Sequence, residues 1–319
     1  MSIISESGRQ RTPALVGGFS IKLCNGQGWY IVGNKETQPI VETLASILQI
    51  EPGNQNGYPR LIFTHATEEL LETQDFASLL SSGGWRSQDL PSMKLWHHDD
   101  TEDVICELNR EVDDSIEIFR LCFVLNPIYQ RALEIGGLPL HAGLVELNGR
   151  GALLAARGNI GKSTCCSRIP QPWRALCDDE SLIVLDARNQ YRAHPFPTWS
   201  NYLYDRPKRS WNVQQHVPLA AIFFLEQAEK DEVVPIGQGQ AGILINTSAT
   251  EVCSKQWRKL TPEEERAQKK KLFDNACALA KSVPAFILRV SLTGRFWDEM
   301  ERVLPDFTKG VDINIEVMR

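Results

Sequence analysis

Residues 138–186 read LPLHAGLVELNGRGALLAARGNIGKSTCCSRIPQPWRALCDDESLIVLD, and this stretch decides the fold. In its first part, residues 138–147, apolar residues alternate with other residues. This part ends at Asn148-Gly149, a pair typical of two-residue β-hairpin turns. A second apolar run, residues 151–156, follows this turn. We therefore predict that the two runs pair as an antiparallel hairpin.

A glycine-containing loop, ARGNIGKST at residues 156–164, leads from the second run into a predicted helix. Its last part, Gly161 to Ser163, matches the phosphate-binding pattern G-x-x-x-x-G-K-[ST], whereas Ala156 stands where the pattern has its first glycine. In this pattern the backbone N–H groups surround the phosphates, the lysine reaches the β- and γ-phosphates, and the serine is a ligand of Mg²⁺. The predicted nucleotide-binding residues are Arg157, Gly158, Asn159, Ile160, Gly161, Lys162, Ser163 and Thr164.

Acidic residues follow the next predicted strand. Residues 173–177 form an apolar run that ends in Asp178, Asp179 and Glu180. Because neighbouring residues on a strand point to opposite faces, the two aspartates should have different roles. One carboxylate would hold Mg²⁺ together with Ser163, and the other would accept a proton from an incoming hydroxyl group.

Four segments together resemble the catalytic domain of HPr kinase/phosphorylase, and more distantly phosphoenolpyruvate carboxykinase: LHAGLVEL with His141, the hairpin, GNIGKST and CDDE. The chain resembles more closely the HPr-kinase-related proteins encoded beside peptide-modification genes, the SynChlorMet cassette protein ScmC family. The resemblance implies an α/β fold with a P-loop domain of the HPr kinase/phosphoenolpyruvate carboxykinase type, with ATP and Mg²⁺ as cofactors.

The resemblance also implies roles for individual residues. Asp178 corresponds to the catalytic base and Asp179 to the metal partner, with the reverse order left open and Glu180 a spare candidate. Lys162 is expected to contact the β- and γ-phosphates of ATP. His141 matches a histidine that lies beside the catalytic aspartate of HPr kinase, where an imidazole could orient the base or tune its pKa.

The chain is expected to form two domains, a small α+β unit over residues 1–112 and the nucleotide-binding domain over residues 113–319. For the first unit the patterns predict a hairpin around Asn25-Gly26, a helix over 37–50, strands over 59–64, 92–98 and 103–108, and a helical or irregular stretch over 68–81. The adjacent His97 and His98 are interpreted as part of a solvated turn rather than a metal site, because no further ligand spacing supports metal binding.

The second domain should begin with a long helix from residue 113 that Pro127 kinks or splits. Residues 193–211 are rich in proline, aromatic and basic residues, which makes them a candidate substrate-facing loop. Further elements are a buried strand over 219–225, helices over 241–253 and 261–281, a strand over 286–292 and a helix over 294–304. Residues of the candidate loop that could touch a phosphate are His194, Arg206, Lys208 and Arg209.

Composition limits the possible partners. The net charge of −6 gives no polyanion-binding surface, so nucleic acid is not an expected partner. The longest apolar run, residues 219–225, is too short to span a membrane, and the N-terminus lacks the apolar region of a secretory signal. Eight cysteines without a C-x-x-C pair indicate reduced thiols, so we expect a cytoplasmic protein.

The loop and the acidic residues predict an ATP- and Mg²⁺-dependent kinase. The resemblance implies that it phosphorylates a Ser or Thr hydroxyl of a small peptide or protein, in a ribosomal-peptide modification cassette. Two alternatives stay open. One is a non-catalytic ATP-binding scaffold for a leader peptide or partner enzyme, which Ala156 motivates; the other is a small-molecule kinase. The direction of the reaction is not fixed by the sequence, and a homo-oligomer is possible because HPr kinase assembles as a hexamer.

Overall fold

The structure is a computed structural model that describes residues 15, 17–65, 84–90, 92–110, 114–158, 160–203, 209–257 and 260–304. The chain is of the α/β class, as predicted, with two mixed sheets and several helices. It divides into two compact units. The first comprises residues 1–21, 28–46 and 51–120, and the second residues 22–27, 47–50 and 121–319. The boundary predicted at residue 112 lies in residues 111–113, outside the described part of the chain.

The elements of the first unit are β1 (Phe19–Lys22), β2 (Gly28–Gly33), α1 (Gln38–Leu48), β3 (Arg60–Thr64), β4 (Trp85–Leu90), β5 (Met93–His98) and β6 (Val104–Leu108). The first sheet has six strands in the order β1-β2-β3-β6-β5-β4. β2, β3 and β6 are parallel to one another, whereas β5 is antiparallel to β6 and to β4. Val32, Ile62 and Ile105, one from each parallel strand, form a buried cluster at the centre of the sheet.

The predicted strands of this unit are confirmed, but β4 was not predicted because its sequence, WRSQDL, is polar apart from its two ends. The stretch 68–81 lies outside the described residues. Among the residues the structure describes, no group of three or more His, Cys, Asp or Glu side chains could hold a metal ion. In the same part of the chain, no helix combines the length and hydrophobicity that crossing a membrane requires.

The predicted long helix is split into α2 (Asp114–Val124) and α3 (Asn126–Glu134). Pro127 lies in the first turn of α3. Proline has no N–H to donate to the preceding turn, and it therefore ends α2 while fitting the start of α3 without loss.

The second sheet has nine strands: β7 (Leu138–Leu140), β8 (Ala142–Leu147), β9 (Arg150–Ala155), β10 (Arg174–Cys177), β11 (Glu180–Leu185), β12 (Tyr191–Phe196), β13 (Val217–Gln227), β14 (Glu232–Pro235) and β15 (Ala285–Val290). Seven of them follow the order β10-β8-β9-β13-β12-β11-β7, with β15 beside β13 and β14 beside β15. The helices of this part are α4 (Lys162–Arg168), α5 (Ser200–Leu203), α6 (Gln238–Trp257), α7 (Pro262–Ser282) and α8 (Phe296–Val303).

The predicted hairpin is present as the antiparallel pair β8 and β9. Asn148 and Gly149 have φ angles of 52° and 77°, the left-handed values that a type I′ turn requires. The run that precedes the turn is not one strand, however. It breaks at His141, because β7 pairs with β11 while β8 pairs with β9 and β10, and the His141 N–H donates to the Ser248 carbonyl of α6.

The centre of this sheet is parallel, with β9 and β15 on either side of β13. Leu154, Phe223 and Leu288 from the three strands belong to one buried cluster. The rings of Phe223 and Phe286 stack with centroids 5.3 Å apart. This packing fixes the end of β9, from which the glycine-containing loop departs.

The prediction of a loop over residues 193–211 was wrong for its first part, because residues 191–196 form β12. His194 is fully buried, and its ring contacts the Val213 carbonyl oxygen at 2.8 Å. Burial lowers the pKa of His194 to about 4, so this residue is a neutral core histidine rather than a phosphate contact. Arg206 and Lys208 lie outside the described residues, whereas Arg209 is described and exposed.

Candidate functional site

The glycine-containing loop connects the end of β9 to the start of α4. Gly161 has a φ of +116°, which residues with a side chain rarely adopt, and its carbonyl accepts a 2.8 Å hydrogen bond from the Cys165 N–H. Ala156 does not have a positive φ, so an alanine occupies the first position of the loop without backbone strain. Of the other predicted binding residues, Arg157, Gly158, Ser163 and Thr164 are exposed, Ile160 is half-buried, and Asn159 lies outside the described residues.

Lys162 spans this loop from inside. Its side chain is buried, and Nζ donates to the carbonyl oxygen of Ala156 at 2.8 Å. Burial lowers the pKa of the Lys162 ammonium, and the carboxylates of Asp179, Glu251 and Asp178 partly oppose this effect. The lysine therefore lies within electrostatic reach of both predicted aspartates.

The two aspartates lie in the bend that joins β10 to β11 rather than on a strand, and they have different partners. Asp179 Oδ1 is 2.9 Å from Nε2 of His141. Asp178 Oδ1 accepts a hydrogen bond from the Thr198 hydroxyl. The two aspartates therefore have different surroundings because of the bend, and not because of the alternation of a strand as expected; their different roles stay a prediction.

Gly143 of β8 allows this bend to approach the helix that follows the loop. A Cβ atom at this position would lie 2.6 Å from Sγ of Cys166 and 3.3 Å from Cα of Asp178. A larger residue would therefore push α4 or the acidic bend away from β8. Glu180, the third acidic residue, starts β11 and accepts a 3.0 Å hydrogen bond from the hydroxyl of buried Tyr129.

His141 is placed between two carboxylates. Nε2 contacts Asp179, and Nδ1 contacts Glu251 of α6. Burial acts to lower the pKa of the imidazole, but the hydrogen bonds to Asp179 and Glu251 outweigh it and raise this pKa. A protonated imidazole donates from both ring nitrogens, which suits two carboxylate partners.

The backbone of His141 is held by the same helix. Its N–H donates to the Ser248 carbonyl at 3.3 Å, and its own carbonyl accepts from the Ser248 hydroxyl at 3.2 Å. Ser248 and Glu251 are three residues apart, so they lie on one face of α6. α6 therefore fixes both the position and the hydrogen-bonding partner of His141.

Sequence reasoning missed Glu251 and Thr198. Glu251 was inside a predicted helix, but it is 110 residues from His141 in the chain. Thr198 was inside the candidate substrate-facing segment without being singled out. The only local signal was the polar pair Ser248 and Glu251 at helical spacing, and a solvent-exposed face gives the same pattern.

Two cavities flank the loop. One, of about 410 Å³, is lined by Ser163, Asp178 and Arg209, among others. The other, of about 240 Å³, is lined by Arg157 and Glu251 together with apolar side chains such as Leu244. A molecule bound at the loop could thus be reached from two sides.

Two buried thiols, Cys166 of α4 and Cys177 of β10, also line the larger cavity. Burial raises the pKa of Cys177 to about 12 and that of Cys166 well above its ordinary value. Both side chains are therefore neutral thiols at physiological pH.

The fold and this site define an α/β protein in which a buried lysine inside a glycine-containing loop meets a carboxylate–histidine–carboxylate chain. A family model described as "SynChlorMet cassette protein ScmC" matches residues 104–305, which is more than half of the chain and includes the whole site. The chain belongs to the ScmC family. A search of curated proteins finds no match to its sequence.

Proposed function

We propose that this protein is an ATP- and Mg²⁺-dependent phosphotransferase that phosphorylates a Ser or Thr hydroxyl of a peptide or small protein, in the setting of a ribosomal-peptide modification cassette. In this proposal its second unit is a P-loop domain of the HPr kinase/phosphoenolpyruvate carboxykinase type. The observation that carries the proposal is the buried ammonium of Lys162 inside the loop, with Asp178 and Asp179 within electrostatic reach.

Phosphoryl transfer requires neutralised phosphate charge, an aligned nucleophile and a proton acceptor. The N–H groups of the loop and the Lys162 ammonium are donors suited to phosphate oxygens. The Ser163 hydroxyl and an aspartate are oxygen ligands of the kind that Mg²⁺ prefers, and few protein ligands are needed because Mg²⁺ also binds phosphates. When bound, Mg²⁺ would neutralise charge that develops on the phosphate oxygens.

We assign Asp178 as the proton acceptor because it lines the 410 Å³ cavity, through which a hydroxyl substrate could reach Ser163. Asp179 is assigned as the metal partner, in the order that the resemblance to HPr kinase implies. His141 contacts Asp179 and not Asp178, so the argument from HPr kinase that the histidine marks the catalytic aspartate favours the reverse order. Separate substitution of the two aspartates distinguishes these assignments.

In the transfer, the hydroxyl proton moves to the Asp178 carboxylate while a bond forms between the hydroxyl oxygen and the γ-phosphorus. The bond from that phosphorus to the bridging oxygen breaks, and ADP leaves. A protonated His141 and the Lys162 ammonium would offset part of the negative charge of Asp178, Asp179 and Glu251 during this step. Asp178 is oriented by the Thr198 hydroxyl.

The test is incubation of the full chain with γ-labelled ATP, Mg²⁺ and a precursor peptide of a ribosomal-peptide modification cassette. The proposal expects label on a Ser or Thr of the peptide and loss of labelling in Asp178→Asn. Tight ATP binding without transfer, and full biological activity of Asp178→Asn, would instead identify a nucleotide-binding scaffold. Transfer to small organic acids but not to the peptide would identify a small-molecule kinase.

A further inference from the structure

The strand that ends at Asp178 lies at an edge of the second sheet. Within the described residues, β10 pairs with β8 alone, in an antiparallel register that shifts between Ala175 and Cys177. Arg174 and Ala175 are exposed. An edge strand with exposed residues presents backbone N–H and C=O groups that can pair with another extended chain.

The two ends of β10 line two different cavities. The last residues of the strand and Asp178 line the 410 Å³ cavity, which also contains Ser163. Arg174, the first residue of the strand, lines a larger and more open cavity of about 920 Å³. A chain laid along the strand would therefore start in one cavity and end in the other.

The 920 Å³ cavity is positively charged. Arg150, Arg174 and Arg192 line it, and Arg174 forms an ion pair with Glu146, the one acidic residue of the lining. His216 adds no charge at neutral pH, because burial and the neighbouring Arg192 lower its pKa. In a chain with a net charge of −6, this local positive excess favours an acidic ligand.

We propose that the edge of β10 binds an extended acidic peptide as an added strand, with its acidic residues toward Arg174 and Arg150 and a Ser or Thr at Asp178. This inference rests on the proposed function, because it assigns the acceptor of that same site. Four strand residues cover roughly 13 Å, so the acidic residues lie about four positions from the phosphorylated hydroxyl. The backbone pairing supplies affinity, and the arginines supply specificity.

The test is a binding measurement that requires no catalysis. The probe is a fluorescein-labelled nine-residue peptide with a central serine, threonine and valine on each side of it, and two glutamates at each end. Its palindromic order makes the result independent of strand direction. The comparison peptides carry lysines in place of the glutamates, or N-methyl groups on alternate backbone nitrogens, which remove donors of the added strand.

The acidic peptide should bind at least tenfold more tightly than the lysine peptide, by fluorescence anisotropy. N-methylation should weaken binding by about 2- to 10-fold for each hydrogen bond lost. Arg150→Gln should weaken it about 2- to 5-fold, as expected for a partly exposed charge pair, whereas the matched change Arg266→Gln at an exposed position of α7 should have no effect.

Equal binding of the acidic and lysine peptides, or of the N-methylated peptide, would overturn the inference. If the protein binds these peptides equally and still phosphorylates a precursor peptide, the proposed function stays intact and the acceptor binds elsewhere. Edge binding without phosphate transfer would support the inference while contradicting the proposed function.

Discussion

The imidazole of His141 and the carboxylate of Glu251, 110 residues apart in the chain, are joined by a direct hydrogen bond. The other ring nitrogen of His141 contacts Asp179. Glu251 is thus linked, through one side chain, to the acidic bend beside the glycine-containing loop. This relationship makes Glu251 a positioning residue that can be tested without any knowledge of the acceptor.

Glu251→Gln should lower the pKa of His141, because one of the two carboxylates that raise it becomes neutral. The measurement is a pH titration of the His141 ring signals by NMR, with Glu229→Gln, an exposed change, as the control. An unchanged His141 pKa would show that the contact with Glu251 does not control the protonation of the ring.

The same pair should make stability depend on pH. Because the folded pKa of His141 is raised, its contribution is fully present below the unfolded pKa and is lost as pH rises through the folded pKa. Urea unfolding of the parent protein and of Glu251→Gln at pH 5.5 and pH 8.5 measures this contribution to the free energy of unfolding. The free energy of unfolding should change less between the two pH values in the variant than in the parent protein. An equal change in both proteins would assign the pH dependence to other groups.

Under the proposed function, Lys162→Met should weaken ATP binding by about 10- to 100-fold, since the proposed charge-assisted contact to phosphate would be lost. Calorimetric titration with ATP and Mg²⁺ measures the Kd, and Lys230→Met, at an exposed position, serves as the matched control. ATP binding that is equally tight in Lys162→Met would remove the loop from the binding site.

The two aspartates should give different kinetic results. Under the proposed assignment, Asp178→Asn should lower kcat by about 10²- to 10⁴-fold with little change in the Kd for ATP, because the proposed general base would be lost. Asp179→Asn should raise the Mg²⁺ concentration required for half-maximal rate. If the two variants show the opposite pattern, the roles of the aspartates are exchanged.

Gly143→Ala should destabilise the second unit by about 1–3 kcal/mol, because its Cβ would overlap Sγ of Cys166. The urea midpoint measures this effect. Gly237→Ala is the control, since a Cβ there meets no atom within 4 Å. Equal midpoints for the two variants would show that α4 can move away from β8 without cost.

The parts of the fold that the sequence predicted are those that local rules determine. Asn148-Gly149 indicates its turn because few other pairs adopt left-handed backbone at both positions. Pro127 divides the helix because proline lacks an N–H. The loop at 156–164 was located from its own residues, and the absence of strain at Ala156 weakens the motive for a non-catalytic scaffold.

The parts that the sequence did not predict depend on contacts distant in the chain. The strand break at His141 results from its hydrogen bonds to Ser248, and no pattern near residue 141 indicates this partner. His194 lies in a segment whose composition is typical of a loop, yet it is a buried strand residue. Such outcomes follow from tertiary packing, which overrides local preference.

The protonated state of Cys166 and Cys177 has a consequence for chemistry at the cavity wall. A thiolate at either position would repel an incoming phosphate and would be open to alkylation and oxidation. Because burial keeps both sulfurs as thiols, they behave as small apolar groups toward an anion. The wall of the cavity beside Ser163 and Asp178 therefore presents two thiols, and no thiolate from these residues, to an electrophile.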